Sequence, residues 1–296
     1  MSEEKAAVED TKGVEGSSKA QAVDMPYRDV VEASHIYILP NLFTAGNLFF
    51  GFIAIIWCIH GRYVDATQAE AARSYTEAVF FILAAGLCDV FDGRVARLGG
   101  RESLFGKEFD SIADVVSFGV APALMVFFLL LSPTMGYDFY RQIGWLVGFI
   151  YLLCAGVRLA RFNVITNPFI PGSNEIVKPQ EFLGLPAPAA AGLTASLVLL
   201  VVNFDLRGFA LFLPPLMLLT AWLMVSKVPY PSFKYLSWNS RMGIEKFILL
   251  IVVVAAFITF WRWSFAVAFI LYIFYGFFRD LRKTYRRKRK LAAQEN

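Results

Sequence analysis

The chain has 296 residues, 57% of them hydrophobic, with a formal net charge of +4 and a mean hydropathy of +0.54. Globular domains carry about 45 to 50% apolar residues, so a water-soluble single core is excluded and an all-α, polytopic transmembrane helix bundle is the expected fold class. Cys58, Cys88 and Cys154 are the whole cysteine complement, lie in separate apolar stretches without metal-ligand spacing, and read as small buried hydrophobes.

Residues 1–26, rich in Glu, Lys, Ser and Ala, read as a disordered cytoplasmic tail, and no apolar run follows closely enough for a cleavable signal. A short interfacial helix is expected over 27–37. Spanning a ~30 Å hydrocarbon core takes about 20 apolar residues. Eight stretches qualify, near 38–60, 76–93, 109–132, 143–161, 186–204, 208–225, 246–262 and 264–279. The first six form a membrane core over 38–225, followed by a cytoplasmic loop over 226–245 and two additional membrane helices over 246–279. Only Arg262-Trp263-Ser264 separates those two, which are either a tight hairpin or one long segment. A polybasic cytoplasmic tail, 280–296, closes the chain. Its run from Arg282 to Lys290 reads as a topological anchor that also holds anionic membrane lipid, and no nucleic-acid partner is expected from a single run of this kind. With both termini cytoplasmic, 23 of the 28 Lys and Arg residues fall inside, leaving Arg62, Arg73, Arg141, Arg207 and Arg262 outside.

The second and third stretches carry the pattern Asp89-x-x-Asp92-Gly93-x-x-Ala96-Arg97, eight residues, then Gly106-x-x-x-Asp110-x-x-x-Asp114. At ~100° per residue, Asp89, Asp92, Gly93, Ala96 and Arg97 share an arc of about 140°. Asp110 and Asp114 lie one turn apart on one face. Two such helices facing one another collect four carboxylates, which repel unless a cation binds between them. Oxygen ligands point to Mg²⁺ or Mn²⁺, with Ca²⁺ the remaining candidate. Gly93, Ala96 and Gly106 leave bare helix backbone for a bulky ligand, and Arg97 is placed to pair with phosphate oxygens, so the set describes a pyrophosphate site. Capping aspartates at a membrane boundary are the structural alternative, but each charge within a span costs at least ~2.5 kcal/mol, which argues against four in register by chance. His35 and His60 sit at segment ends with no nucleophile nearby and receive no role.

The pattern D-x2-D-G-x2-A-R-x8-G-x3-D-x3-D resembles the signature of the CDP-alcohol phosphotransferases, integral membrane enzymes of phospholipid synthesis, with every position matched. The resemblance implies a six-helix catalytic core, a homodimer, and a reaction in which a CDP-linked donor loses CMP as its phosphoryl group passes to a hydroxyl. It also implies that Asp89, Asp92 and Asp110 hold a first metal, with Asp114 completing a second site or acting as general base. Gly93, Ala96, Gly106 and Arg97 then receive the cytidine diphosphate. Four further segments resemble the phosphatidylserine synthase branch. They are Pro40-Asn41-x-x-Thr44-x-x-Asn47-x-x-x-Gly51, Ser117 to Pro122, Arg158-Leu159-Ala160-Arg161-Phe162-Asn163 and Gly184 to Ala191. The resemblance runs from about residue 36 to 225, and it implies CDP-diacylglycerol and L-serine as substrates. A polytopic body without a cleavable signal suggests a bacterial-type cytoplasmic membrane, with an internal membrane of a eukaryote the open alternative.

These segments also have plainer readings. Thr44 and Asn47, placed by the resemblance on the nucleotide and metal side, could equally be polar groups that pack helices. Pro186 and Pro188 suit the first turn of a helix. Arg158 and Arg161 either snorkel to the interface or bind the acceptor carboxylate, where a guanidinium is bidentate. Arginines would equally suit inositol phosphate, so they do not choose the alcohol, and glycerol 3-phosphate, choline and inositol phosphate stay open. A cation-coupled transporter would be expected to repeat the aspartate motif in its second half, and no such copy occurs. A scaffold has no use for four carboxylates.

Overall fold

The computed structural model describes residues 38–99, 104–131, 138–165, 181–204, 206–231 and 244–292. The tail expected over 1–26 and the interfacial helix over 27–37 lie outside them, as do residues 232–243 of the expected loop. The described chain is an all-α polytopic membrane protein. Helix α1 spans Ile38–Tyr63 and α2 Gln68–Gly99. One unbroken rod then runs through Leu104–Asp114 (α3), a π-helical turn Val115–Val120, Ala121–Val126 (α4) and a second π-helical turn Phe127–Leu131. Next come α5 (Asp138–Ile165), strand β1 (Glu181–Leu183), α6 (Ala187–Asn203), α7 (Arg207–Ala210), α8 (Leu213–Val225), strand β2 (Pro229–Pro231), α9 (Ile244–Thr259) and α10 (Trp261–Ala292).

Among the described residues five helices are long and apolar enough to cross a membrane: Ile38–Tyr63, Phe105–Leu130, Gln142–Ile165, Gly208–Val225 and Trp261–Arg282. Apolar stretches in α6 and α9 are shorter. Helix α6 makes up for its length by its place at the centre. Thirteen residues in succession, Ala189 to Val201, are buried, so it is enclosed on every side, and α2, α8 and α10 pack about it. Helices α9 and α10 meet at Phe260, two residues before the expected separator. The Phe260 N–H donates to Ala256 O, and its carbonyl accepts from Trp263 and Ser264, so one residue ends a helix and opens the next. Ile248 to Val254 on α9 are exposed, as on a lipid-facing helix. The helical backbone of α10 continues through the basic run to Ala292.

Close packing of α1 depends on small residues. Thr44, Asn47, Gly51, Ala54, Cys58 and Gly61 alternate at three and four residues along one buried seam. A Cβ on Gly51 would overlap the Ser117 hydroxyl and come 2.7 Å from the Ser117 Cα, so only glycine lets α1 touch the first π-helical turn. At the far end, Thr67 and Glu70 cap α2 reciprocally, the Glu70 N–H donating to Thr67 Oγ1 and the Thr67 N–H to Glu70 Oε2. Asp65 ties the α1–α2 turn by pairing with His60 at 3.1 Å and accepting from Ser74 at 2.6 Å.

Pro122 accounts for part of the π-helical distortion behind Asp114. It has no N–H to offer Phe118 O, four residues earlier. That carbonyl instead accepts from the fully buried Tyr151 hydroxyl on α5 at 3.2 Å, while Ala121 N–H reaches back five residues to Val116 O. Tyr151→Phe is therefore expected to cost about 1 to 3 kcal/mol, the penalty of a buried carbonyl left without its donor, read as a lowered thermal midpoint in detergent. An unchanged midpoint would show that Phe118 O needs no donor from α5.

Candidate active site

Helices α2 and α3 bring the signature aspartates together. Asp89, Asp92 and Asp110 each offer a carboxylate oxygen within 4.8 Å of the others. Asp92 is buried and Asp89 and Asp110 half-buried. Asp114, one turn beyond Asp110, is buried beside this trio and interacts electrostatically with Asp89 and Asp110.

Helix α1 supplies the groups that hold them. The Thr44 hydroxyl lies 3.2 Å from Asp92 Oδ2 and 3.3 Å from Pro40 O, its one proton shared between the two. Asn47 Nδ2 donates to Asp114 Oδ1 at 3.0 Å, and the Asn47 backbone carbonyl accepts from Ser117 Oγ at 2.9 Å. Thr44 and Asn47 thus touch the carboxylates themselves instead of merely joining helices. Ser117, in the π-helical turn, fixes Asn47 and Asn47 fixes Asp114. Within the family-like segment around Ser117 no role had been legible for that hydroxyl.

The donor set suits a hard divalent cation. Three carboxylate oxygens converge, and Asn47 Oδ1 is a buried neutral oxygen with no hydrogen-bond partner among the described residues. Hard oxygen donors of this kind and spacing fit Mg²⁺ or Mn²⁺. Gly93 and Gly106 stand half-buried on α2 and α3. Ala96 and Arg97 fall on the helical backbone of α2, with side chains outside the described residues.

The two arginines of α5 part company. Arg158 is buried, at 8% exposure, with its guanidinium 5.9 Å from the Phe162 ring centroid and within the field of the Asp114 and Asp89 carboxylates. A cation this deep is not snorkelling. Arg161 donates through Nη1 to Val225 O at 3.0 Å and through Nη2 to Ser226 O at 3.3 Å, binding the carbonyl end of α8. Gly184, at φ +83°, makes that contact possible, since a Cβ there would overlap Met224 O and sit 3.1 Å from Arg161 Nη2. A chain from Asn163 Nδ2 to Ser111 Oγ at 2.7 Å, and from Ser111 Oγ to Lys107 O at 3.0 Å, staples α5 to the aspartate-bearing face of α3.

The CDP-alcohol phosphatidyltransferase sequence profile matches residues 37–229. A protein of Helicobacter pylori named CDP-diacylglycerol–serine O-phosphatidyltransferase is 37% identical over 249 residues, covering 83% of this chain and 92% of that relative. One of the same name from Mycobacterium leprae is 34% identical over 199 residues, 67% of this chain and 59% of the relative. The archaetidylserine synthase of Methanothermobacter thermautotrophicus is 36% identical over 197 residues, 65% of this chain and 69% of the relative. Because the profile runs from the head of α1 to β2 and takes in the whole acidic site, the chain belongs to the CDP-alcohol phosphatidyltransferase family.

Proposed function

We propose that the protein transfers the phosphatidyl group of CDP-diacylglycerol to L-serine, giving phosphatidylserine and CMP. The names of the bacterial relatives support this substrate pair. The observation in the site that carries it is the buried Arg158 guanidinium beside Asp114, itself held by Asn47. That arrangement sets a carboxylate receptor next to a base, which an acceptor bearing both a carboxylate and a hydroxyl requires.

Asp89, Asp92 and Asp110 would hold the divalent cation, Mg²⁺ or Mn²⁺, with Asp114 at its edge; when bound, such an ion neutralises the pyrophosphate and the charge on departing CMP. Gly93, Ala96 and Gly106 floor the cytidine diphosphate, and Arg97 pairs with its phosphates. Arg158 takes the serine carboxylate and points the hydroxyl toward phosphorus. Asp114, oriented by Asn47, accepts the hydroxyl proton. The serine oxygen bonds to the β-phosphorus, which carries diacylglycerol, as the bond from that phosphorus to the bridging oxygen breaks in line and CMP leaves with the oxygen. Arg161 keeps the end of α8 against α5 and lies one turn from Arg158 as the second candidate for the carboxylate. The acyl chains pass sideways between helices, which requires a lipid setting. A bacterial-type cytoplasmic membrane, with both termini and the site on the cytoplasmic side, agrees with the distribution of Lys and Arg. A homodimer is proposed on family resemblance.

Two measurements test these roles. Asp110→Asn should reduce serine-dependent CMP release by about a thousandfold or more, several kcal/mol of transition-state stabilisation, while the protein stays folded in detergent. Near-normal turnover at saturating metal would remove Asp110 from the site. Arg158→Ala should raise the KM for serine by roughly tenfold to a hundredfold, the worth of a charge-assisted hydrogen bond, before it alters the KM for CDP-diacylglycerol. Unchanged serine kinetics would return Arg158 to a structural part, and stimulation by glycerol 3-phosphate in place of serine would replace the acceptor.

A further inference from the structure

The C-terminal turns of α5 are fastened on two flanks, and Arg158 lies between them. At ~100° per residue, Arg161 falls about 60° to one side of Arg158 around the helix and Asn163 about 140° to the other. On the first flank Arg161 binds the carbonyl end of α8, through Val225 O and Ser226 O. On the second, Asn163 reaches α3 with both its side chain and its backbone. Its Nδ2 donates to Ser111 Oγ at 2.7 Å, and that hydroxyl donates onward to Lys107 O at 3.0 Å. Lys107 Nζ in turn donates to Asn163 O at 3.4 Å. Because α5 ends at Ile165, the Asn163 carbonyl has no N–H four residues on within the helix, and an ammonium suits that negative end. The three residues close a loop between α3 and α5. Among the described residues the two helices approach at few other places, since α5 packs instead against the π-helical turns, α4 and α8.

The loop stands beside the acidic site. Ser111 follows Asp110 in the chain and lies about 60° from Asp114 around α3. An acceptor that sets its carboxylate on α5 and its hydroxyl on α3 must span the gap between these helices, and a bridge of hydrogen bonds fixes that gap. One methylene more in the acceptor would carry the hydroxyl out of line with phosphorus. We propose that Asn163, with Ser111 and Lys107, is a positioning clamp that sets the spacing between the carboxylate receptor and the base, and so selects acceptors of the length of serine. The clamp acts through Arg158 and Asp114. It rests on the reading of Arg158 as the serine carboxylate receptor and of Asp114 as the base.

The test compares L-serine with L-homoserine, one methylene longer, as acceptors for the full-length protein with CDP-diacylglycerol in mixed micelles. Wild type should prefer serine about tenfold to a hundredfold in kcat/KM, the range that one methylene commands. Ser111→Ala and Asn163→Ala should each raise the serine KM about threefold to tenfold and cut that preference by at least about fivefold, with the KM for CDP-diacylglycerol unchanged. Combining them should add less than about twofold, because both remove the same bond. Ser111→Thr, which keeps the hydroxyl, should keep the preference. Ser111→Ala removes one oxygen from a half-buried site, so it carries the test should Asn163→Ala fail to fold. A tie that only supports the fold would lower the thermal midpoint and leave the ratio of serine to homoserine alone, and that result overturns the clamp. Arg158→Ala, measured alongside, separates the two claims. An unchanged serine KM there removes the receptor reading and the clamp with it, whereas a raised KM there with none in Ser111→Ala or Asn163→Ala removes the clamp alone.

Discussion

Like-charge repulsion in a medium that solvates charge poorly is the constraint on which the rest of this structure depends. Asp89, Asp92 and Asp110 offer oxygens within 4.8 Å of one another, and Asp114 is buried beside them. Carboxylates so placed are relieved by hydrogen-bond donors, by nearby cations, or by taking up protons. Thr44 and Asn47 are the donors, Arg158 is the fixed cation, and the converging oxygens suit the metal. Each of those supports has its own support. Asn47 is fixed by Ser117, Ser117 reaches α1 only because residue 51 is glycine, and the π-helical turn that carries Ser117 leads into Pro122. Tyr151 satisfies the carbonyl that the proline leaves behind. A line of packing thus runs from the interior of α5 to the carboxylate proposed as base.

The profile of the family covers α1 to β2, where the carboxylates and both α5 arginines lie. Helix α10 then closes over α6 and β2 by setting rings against Gly192 and Gly276. Phosphoryl transfer and choice of acceptor are different physical problems, the first a matter of charge on phosphate and the second of shape and hydrogen bonding around a small polar molecule.

The aspartates were legible in the sequence because helical periodicity alone puts Asp89 with Asp92 and Asp110 with Asp114, and because charge in an apolar span needs a reason. The all-helical membrane architecture followed from composition and run length. Thr44 and Asn47 were legible only through resemblance, since a polar residue in a membrane helix serves packing as readily as binding, and the 48 and 67 residues between them and their carboxylate partners are bridged only by tertiary structure. Arg158 lies deeper in its apolar run than Arg161, but in sequence either one suits snorkelling or carboxylate binding. The fold separates them by bringing the carbonyl end of α8 to one and Asp114 to the other. The π-helical turns were hidden because Pro122 can be absorbed in several ways, and a tyrosine on another helix selects one. The short β1–β2 pair was missed because three-residue strands carry no periodic signal.

In the proposed mechanism the acceptor attacks phosphorus directly beside the carboxylate cluster, with no covalent phosphatidyl-enzyme. The measurement closest to that claim is the configuration at phosphorus when chirally labelled CDP-diacylglycerol is turned over with serine. A single in-line displacement predicts phosphatidylserine of inverted configuration and no exchange of labelled CMP into substrate without serine. Retained configuration accompanied by serine-independent exchange would contradict it, making one of the signature aspartates a nucleophile and removing Asp114 as the base acting on serine.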